Sequence, residues 1–171
     1  KALMALPEIA AAHPDRQIDA PARQRRRSHF PPTLRVVMDM QLNNRLGLVS
    51  GSTAGIGYAI AEALAAEGAK VIVNGRTQTA VDAAIASIKK ATGHDALGFA
   101  GDLSKSEVAE ALVRTHADIE ILVNNLGIFE PKPFGEIEDA DWMRFFDVNV
   151  LSGVRLTRLC LPAMKQANWG R

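Results

Sequence analysis

Leu46-Gly47-Leu48-Val49-Ser50-Gly51-Ser52-Thr53-Ala54-Gly55-Ile56-Gly57 opens as a short apolar run and breaks into three spaced glycines. It reads as a strand, a phosphate-binding loop and the start of a helix. Gly51 can take the positive φ of a tight turn, Gly55 lets the backbone approach a ligand closely, and Gly57 lets the new helix settle against a sheet. The N–H groups of that first helical turn lack intrahelical partners, and with the positive end of the helix dipole they would face a pyrophosphate. Spacing alone also fits an ordinary strand-to-helix turn, so the flanking sequence has to decide.

Downstream, short apolar segments alternate with longer helical ones, the signature of repeated strand-helix-strand units and a parallel sheet. Ile56, Ile60 and Leu64 predict a first helix over about residues 55–67, with those side chains packed on the sheet. Gly68 stops it, and residues 70–74 form a buried second strand. A helix over about 78–92 buries Val81, Ile85 and Ile88 and ends at Gly93. Residues 96–100 make a third, weaker strand. Ser104, with Glu107 three residues on, forms a capping box for a helix whose apolar stripe is Val108 and Leu112. Residues 119–124 are the fourth strand. After a loop carrying Pro131, Pro133 and Gly135, one long helix is predicted over about 139–167, bent near its end by Pro162. The chain stops at Trp169-Gly170-Arg171, where another strand is expected.

Upstream, residues 1–37 show no sustained period and hold Pro7, Pro14, Pro21, Pro31 and Pro32 around the basic run Arg23-Gln24-Arg25-Arg26-Arg27. This reads as a disordered arm. It is also readable as an assumed translation start, since the chain begins at Lys1 and Met38 and Met40 sit just ahead of the first strand. The folded domain then spans 38–171. A chain of 171 residues, 47% hydrophobic and 23% charged, suits one compact core. The net charge of +1 divides into +4 on the arm (seven basic, three acidic) and −3 on the remainder (thirteen basic, sixteen acidic). A mildly acidic body gives no electrostatic reason to expect a nucleic acid partner.

The sole cysteine, Cys160, allows no intrachain disulfide, reads as a small core hydrophobe and fits a reducing compartment. No apolar stretch is long enough to span a bilayer, and residues 3–12 are interrupted by Pro7 and Glu8, so a cytoplasmic protein without membrane contact is expected. His13, His29, His94 and His116 lack metal-ligand spacing, and no metal site is assigned.

At the end of the second strand of a dinucleotide fold an acidic residue usually binds the adenosine ribose, yet no Asp or Glu occurs between Lys70 and Ala80. Arg76 stands there instead. Its guanidinium can pair with a 2′-phosphate, favouring NADP(H) over NAD(H), or it is a solvent-facing turn residue after Asn74-Gly75. Gly101-Asp102-Leu103 follows the third strand, Asn124-Asn125-Leu126-Gly127 the fourth, and Asp147-Val148-Asn149-Val150 lies within the long helix. Taken in this order with the glycine loop, these segments resemble the short-chain dehydrogenase/reductase family over about residues 40–171.

The resemblance implies an α/β, Rossmann-like doubly wound parallel sheet, cut short after its fourth strand and the long helix. It implies cofactor contacts from Gly51, Ser52, Thr53, Ala54, Gly55, Ile56 and Gly57. Asp102 would hydrogen-bond the adenine amino group with the Leu103 backbone beside it, and Asp102 also reads as a turn or helix-capping carboxylate. Asn125, Leu126 and Gly127 would line the cofactor and brace the central strand. Asn149 matches the helical asparagine of the family's catalytic tetrad, which holds a water in a proton relay.

Two residues depart from the family pattern: Leu126 stands where Ala is usual, and Ala54 where many NADP-dependent members carry a basic residue. The family's catalytic Ser and its Tyr-x-x-x-Lys lie beyond the strand expected after Arg171. The single tyrosine, Tyr58, has Glu62 four residues on and does not match that motif, and Ser152 reads as a packing serine. The expected parent activity is hydride transfer between a nicotinamide and an alcohol/carbonyl substrate, with the 171-residue chain lacking the Tyr and Lys that handle the proton and therefore inactive alone. The competing reading is a non-catalytic nucleotide-binding or regulatory module. A methyltransferase domain would leave Asn124 to Gly127 and Asn149 without a role. Trp142, Phe145 and Phe146 suit a core or a subunit interface, and the family resemblance implies a homo-oligomer packed through the long helix.

Overall fold

Four parallel strands pair in the order β3-β2-β1-β4, with β1 at Leu46–Val49, β2 at Lys70–Gly75, β3 at Leu97–Ala100 and β4 at Ile121–Val123. The computed structural model describes residues 40–171, so the arm, its basic run, His13 and His29 lie outside the described residues. Leu48 stands opposite Ile72 on one side and Leu122 on the other. The two central strands are apolar and buried on both faces because helices cover both. On one face α1 (Gly55–Ala66) and α2 (Gln78–Thr92) bury Ala61, Ala65, Ala84 and Ile88 against Val49, Val71 and Val73. On the other, α3 (Ser106–Thr115) and α5 (Ser152–Gln166) bury Leu112, Leu156 and Cys160 against Leu46, Leu48 and Ile72. Burial pushes the Cys160 thiol up to about 11, consistent with a core group rather than a reactive thiol.

The doubly wound topology has a functional consequence. The chain steps outward from β1 to β2 to β3, then returns to lay β4 beside β1. That reversal opens a crevice at the carboxyl ends of β1 and β4, where ligands of such sheets collect.

α2 follows the sequence closely: the Thr77 side chain accepts from the Ala80 N–H, and Gly93 closes the helix at φ 78°. Val81 and Ile88 are buried, with Ala84 between them and Ile85 half-buried. Other expectations are corrected. In α1 the sheet-facing residues are Gly57, Ala61 and Ala65, whereas Ile56 is 76% exposed and Ile60 and Leu64 pack from the flank. Close approach of the helix start to the sheet demands the small face, and a one-residue rotation of about 100° turns Ile56 outward. The capping box at Ser104 does not form. α3 starts one residue later, at Ser106 behind Lys105, while Ser104 is buried with its N–H on Asp102 Oδ1 and its carbonyl accepting from Arg155.

The long helix is not uniform. α4 (Asp139–Phe146) passes into a π-helical segment (Asp147–Leu151) and then into α5, with Pro162 inside the last. Trp142 and Phe146 are exposed rather than in the core. The third and fourth strands are also shorter than their apolar runs. Beyond β4, the Arg171 N–H donates to the Glu120 carbonyl (3.0 Å), and its own carbonyl accepts from the Leu122 N–H (2.8 Å). Trp169 nearby carries the Arg45 guanidinium 4.1 Å from its ring centroid.

Candidate functional site

The glycine loop is shaped by hydrogen bonds to its neighbours before any ligand is considered. Gly51 and Gly55 adopt φ +63° and +60°, left-handed conformations that favour glycine. Ser50 Oγ accepts from the N–H groups of Asn125 and Leu126, each at 3.0 Å, and the Asn125 side chain donates back to the Ser50 and Gly51 carbonyls, again at 3.0 Å. Ser52 Oγ donates to the Val49 carbonyl at 2.7 Å. Asn125 thus ties β4 to the loop. A Cβ on Gly57 would lie 2.4 Å from Asn125 Nδ2, which is why the helix can start this close to the strand.

At the head of α1, Ala54 offers no capping side chain and the first turn holds no acidic residue. That end is therefore left for an anion, with nothing within 4 Å of where a Gly55 Cβ would stand.

A groove of about 380 Å³ runs across the carboxyl ends of the strands. Gly51, Thr53, Ala54, Arg76, Asp102, Leu103, Leu126 and Gly127 all line it. Ser52 and Asn125 stand behind it as braces, and Gly55, Ile56 and Gly57 form the helix start beside the loop. Leu103 is fully buried in the core and backs the groove wall. Asp102 Oδ1 accepts from the Ser104 N–H at 3.0 Å, which gives this carboxylate a turn-forming role alongside its place on the wall.

At the β2 end, Arg76 is exposed and follows Gly75, where a Cβ would meet Thr53 Cγ2 at 2.4 Å. The Thr53 methyl thus keeps a side chain from standing at Gly75, and next to it Arg76 puts a cation where a dinucleotide fold usually presents an acidic side chain to the ribose. An open helix start, a glycine loop and an exposed guanidinium on one groove form a donor set that fits a phosphorylated dinucleotide.

Asn149 lies outside the groove, in the middle of the π segment. Its Oδ1 accepts from the Ile128 N–H at 2.7 Å and its Nδ2 donates to the Ile128 carbonyl at 3.1 Å. One donor and one acceptor of the side-chain amide thus brace the strand-to-helix loop. Ser152 Oγ donates to the Val148 carbonyl at 2.6 Å, as suits a packing serine.

Residues the sequence reading missed include Asn74, Ile128, Arg144 and Val148, which also line the groove. Arg144 is paired with Glu130 (2.9 Å), and this ion pair holds the Glu130 carboxyl below its usual range. Arg155 donates to the Ser104 carbonyl (2.6 Å) and to Asp147 (2.7 Å), joining the Asp102 loop to the π segment. The Arg155–Ser104 partners lie 51 positions apart and the Arg144–Glu130 partners 14, so helical spacing carried no sign of either. Tyr58 is held above its ordinary value by its hydrogen bond to Glu62 on the next turn of α1. Among the described residues no cluster of His, Cys, Asp and Glu could hold a metal, and no helix is long and apolar enough to cross a membrane.

The family model for short chain dehydrogenase matches residues 46–171. The uncharacterized oxidoreductase YvrD of Bacillus subtilis is 48% identical over 138 residues, covering 78% of this chain and 51% of that protein. The D-beta-hydroxybutyrate dehydrogenase of Cupriavidus necator is 42% identical over 135 residues, with 76% and 52% covered. The crystal structure of L-sorbose reductase from Gluconobacter frateurii complexed with NADPH and L-sorbose superposes with a TM-score of 0.69 at 32% identity, over 76% of this chain and 51% of that one. The chain thus spans about half the length of the relatives it matches. Each of these three proteins bears the name of an oxidoreductase, a dehydrogenase or a reductase. With the sheet order, the glycine loop and the Asn125 brace all in place, the chain belongs to the short-chain dehydrogenase family.

Proposed function

We propose that this chain supplies the cofactor-binding part of an oxidoreductase that moves hydride between NADP(H) and the carbon of an alcohol/carbonyl substrate. The observation that carries the NADP(H) preference is Arg76, exposed at the rim beside a Gly75 that Thr53 keeps free of any side chain. The amides from Gly51 to Gly57 would hold the pyrophosphate, Arg76 the 2′-phosphate and Asp102 the adenine, with Leu126 and Gly127 along the opposite wall. Bound nicotinamide would give a hydride, two electrons with one hydrogen, to a carbonyl carbon, whose oxygen then takes up a proton. Asn149, tethered to Ile128, would hold the water of that proton's relay. Tyr58, the chain's single tyrosine, sits against Glu62 in α1, so the 171-residue chain alone should not turn over carbonyls.

Met143, Phe146, Val150, Val154 and Leu161 are exposed along α4, the π segment and α5, and support a homo-oligomer packed through this helix. The single buried thiol suits the reducing cytoplasm.

Titration of NADPH and NADH into the chain, followed by reduced-nicotinamide fluorescence, tests the reading. NADPH should bind about ten- to a hundredfold tighter, the value of charge-assisted bonds to the extra phosphate, and Arg76→Ala should remove the difference. Equal affinities in the unaltered chain would overturn the preference, and no binding of either would overturn the site.

A further inference from the structure

We infer that Asn74 is a positioning residue that sets the three cofactor-contacting corners of the groove in register, an inference that rests on reading the groove as a dinucleotide site. The residue is 1% exposed at the end of β2 and joins three separate segments. Its Oδ1 accepts from the Gly51 N–H at 3.0 Å, and its Nδ2 donates to the Phe99 and Gly101 carbonyls, each at 3.0 Å. Its main chain is bound as well, the N–H donating to Ser52 Oγ at 2.9 Å and the carbonyl accepting from the Ser52 N–H at 2.8 Å. Gly51 and Ser52 open the phosphate loop, Asn74 itself leads into Gly75 and Arg76, and Gly101 leads into Asp102. One side chain therefore reaches all three corners.

The chemistry admits few alternatives to an amide. The position must accept once from a backbone N–H and donate twice to backbone carbonyls, which an ionised Asp cannot do and an apolar residue cannot begin to do. Because the groove is open and its walls are loops, the distance between the phosphate corner and the adenosine corner depends on that shared amide. A ligand long enough to touch both corners at once gains from their being preset.

Asn74→Asp retains the size and the acceptor toward Gly51 and removes the donors toward Phe99 and Gly101. A core variant remote from the groove, Ile88→Ala, serves as a control for loss of stability alone. Both are titrated with NADP+ in the full chain well below their melting temperatures. The expected result is an NADP+ affinity weakened about tenfold or more in Asn74→Asp and within about twofold of the unaltered chain in Ile88→Ala.

The affinity of Asn74→Asp, relative to the unaltered chain at each pH, should recover at acid pH, where a protonated carboxyl regains one donor. Equal effects of the two variants, or no acid recovery, would overturn the inference. If Asn74→Asp does not fold, Asn74→Ser is compared with Ile88→Ala on affinity alone, and failure of both Asn74 variants to fold would make Asn74 a residue of the fold only, which also overturns it. Failure of the unaltered chain to bind NADP+ is a separate result and removes the site reading beneath the inference.

Discussion

At Gly57 the Cβ that any other residue would bring falls 2.4 Å from Asn125 Nδ2 and 2.5 Å from the Gly51 carbonyl oxygen. Neither neighbour is free to give way, because the same Asn125 nitrogen donates to the Ser50 and Gly51 carbonyls. Gly57→Ala should therefore destabilise the protein by about 1–3 kcal/mol through overpacking. Gly47, in β1, is the contrast: its Cβ would stand 3.5 Å from that of Ile121, ordinary contact, and a strand gains from losing a glycine. Gly47→Ala should be neutral or stabilising by up to about 1 kcal/mol. Urea denaturation of the two variants side by side checks the difference, and equal losses would show that the crowding at Gly57 is relieved by movement.

At this scale the glycines were legible in the sequence, since positive φ and close approach belong to the residue type. The braces were not. Ser50, Ser52 and Asn74 carry side chains common in turns, and their meaning lies in partners up to 76 positions away.

Elements were legible where hydrophobicity and packing demand the same thing, as in α2, and misread where they diverge. In α1 a period near 3.6 fits Ile56, Ile60 and Leu64 as well as it fits Gly57, Ala61 and Ala65. Apolar character favours the first set, but the required closeness of helix and sheet selects the second. The π segment was hidden for a related reason: its residues suit an ordinary helix, and the tether of Asn149 to Ile128 is a tertiary contact. π-helical turns recur at functional sites, which agrees with the proposed role of this one.

Arg155 links the segment to the Asp102 loop, and its removal strands the carbonyl of the buried Ser104. Arg155→Met, which keeps the aliphatic length, should cost about 1–3 kcal/mol in denaturant unfolding. Arg155→Lys should recover only part of that, because a single ammonium lacks the fork that reaches both partners. Full recovery by lysine would reduce the residue to a point charge.

For the molecule as a whole, the alternation of strand and helix was enough to read the parallel sheet and the location of the groove. What escaped the sequence was which apolar residues stay outside. Phe146, at the end of α4, is 50% exposed and Val154, in α5, 48%, and another face of α5 already packs on α3 and β4. If that stripe is a subunit contact, Phe146→Glu with Val154→Glu should reduce the mass measured by light scattering to that of one chain while the circular dichroism spectrum is retained. A monomeric unaltered chain would sink the proposed oligomer.

The sheet order also bears on how the protein comes into being. β1 meets β2 through a single helical crossover, but it meets β4 only after the intervening helices and β3, across a separation of about 74 residues. Contacts of such long range close late, since the entropy of the loop has to be overcome before they reward it. Until then one edge of β1 is bare and Ser50 lacks the Asn125 and Leu126 amides that shape the loop. Secondary structure can accordingly precede any competence to bind, and the capacity to hold a cofactor is among the last things the folding chain acquires.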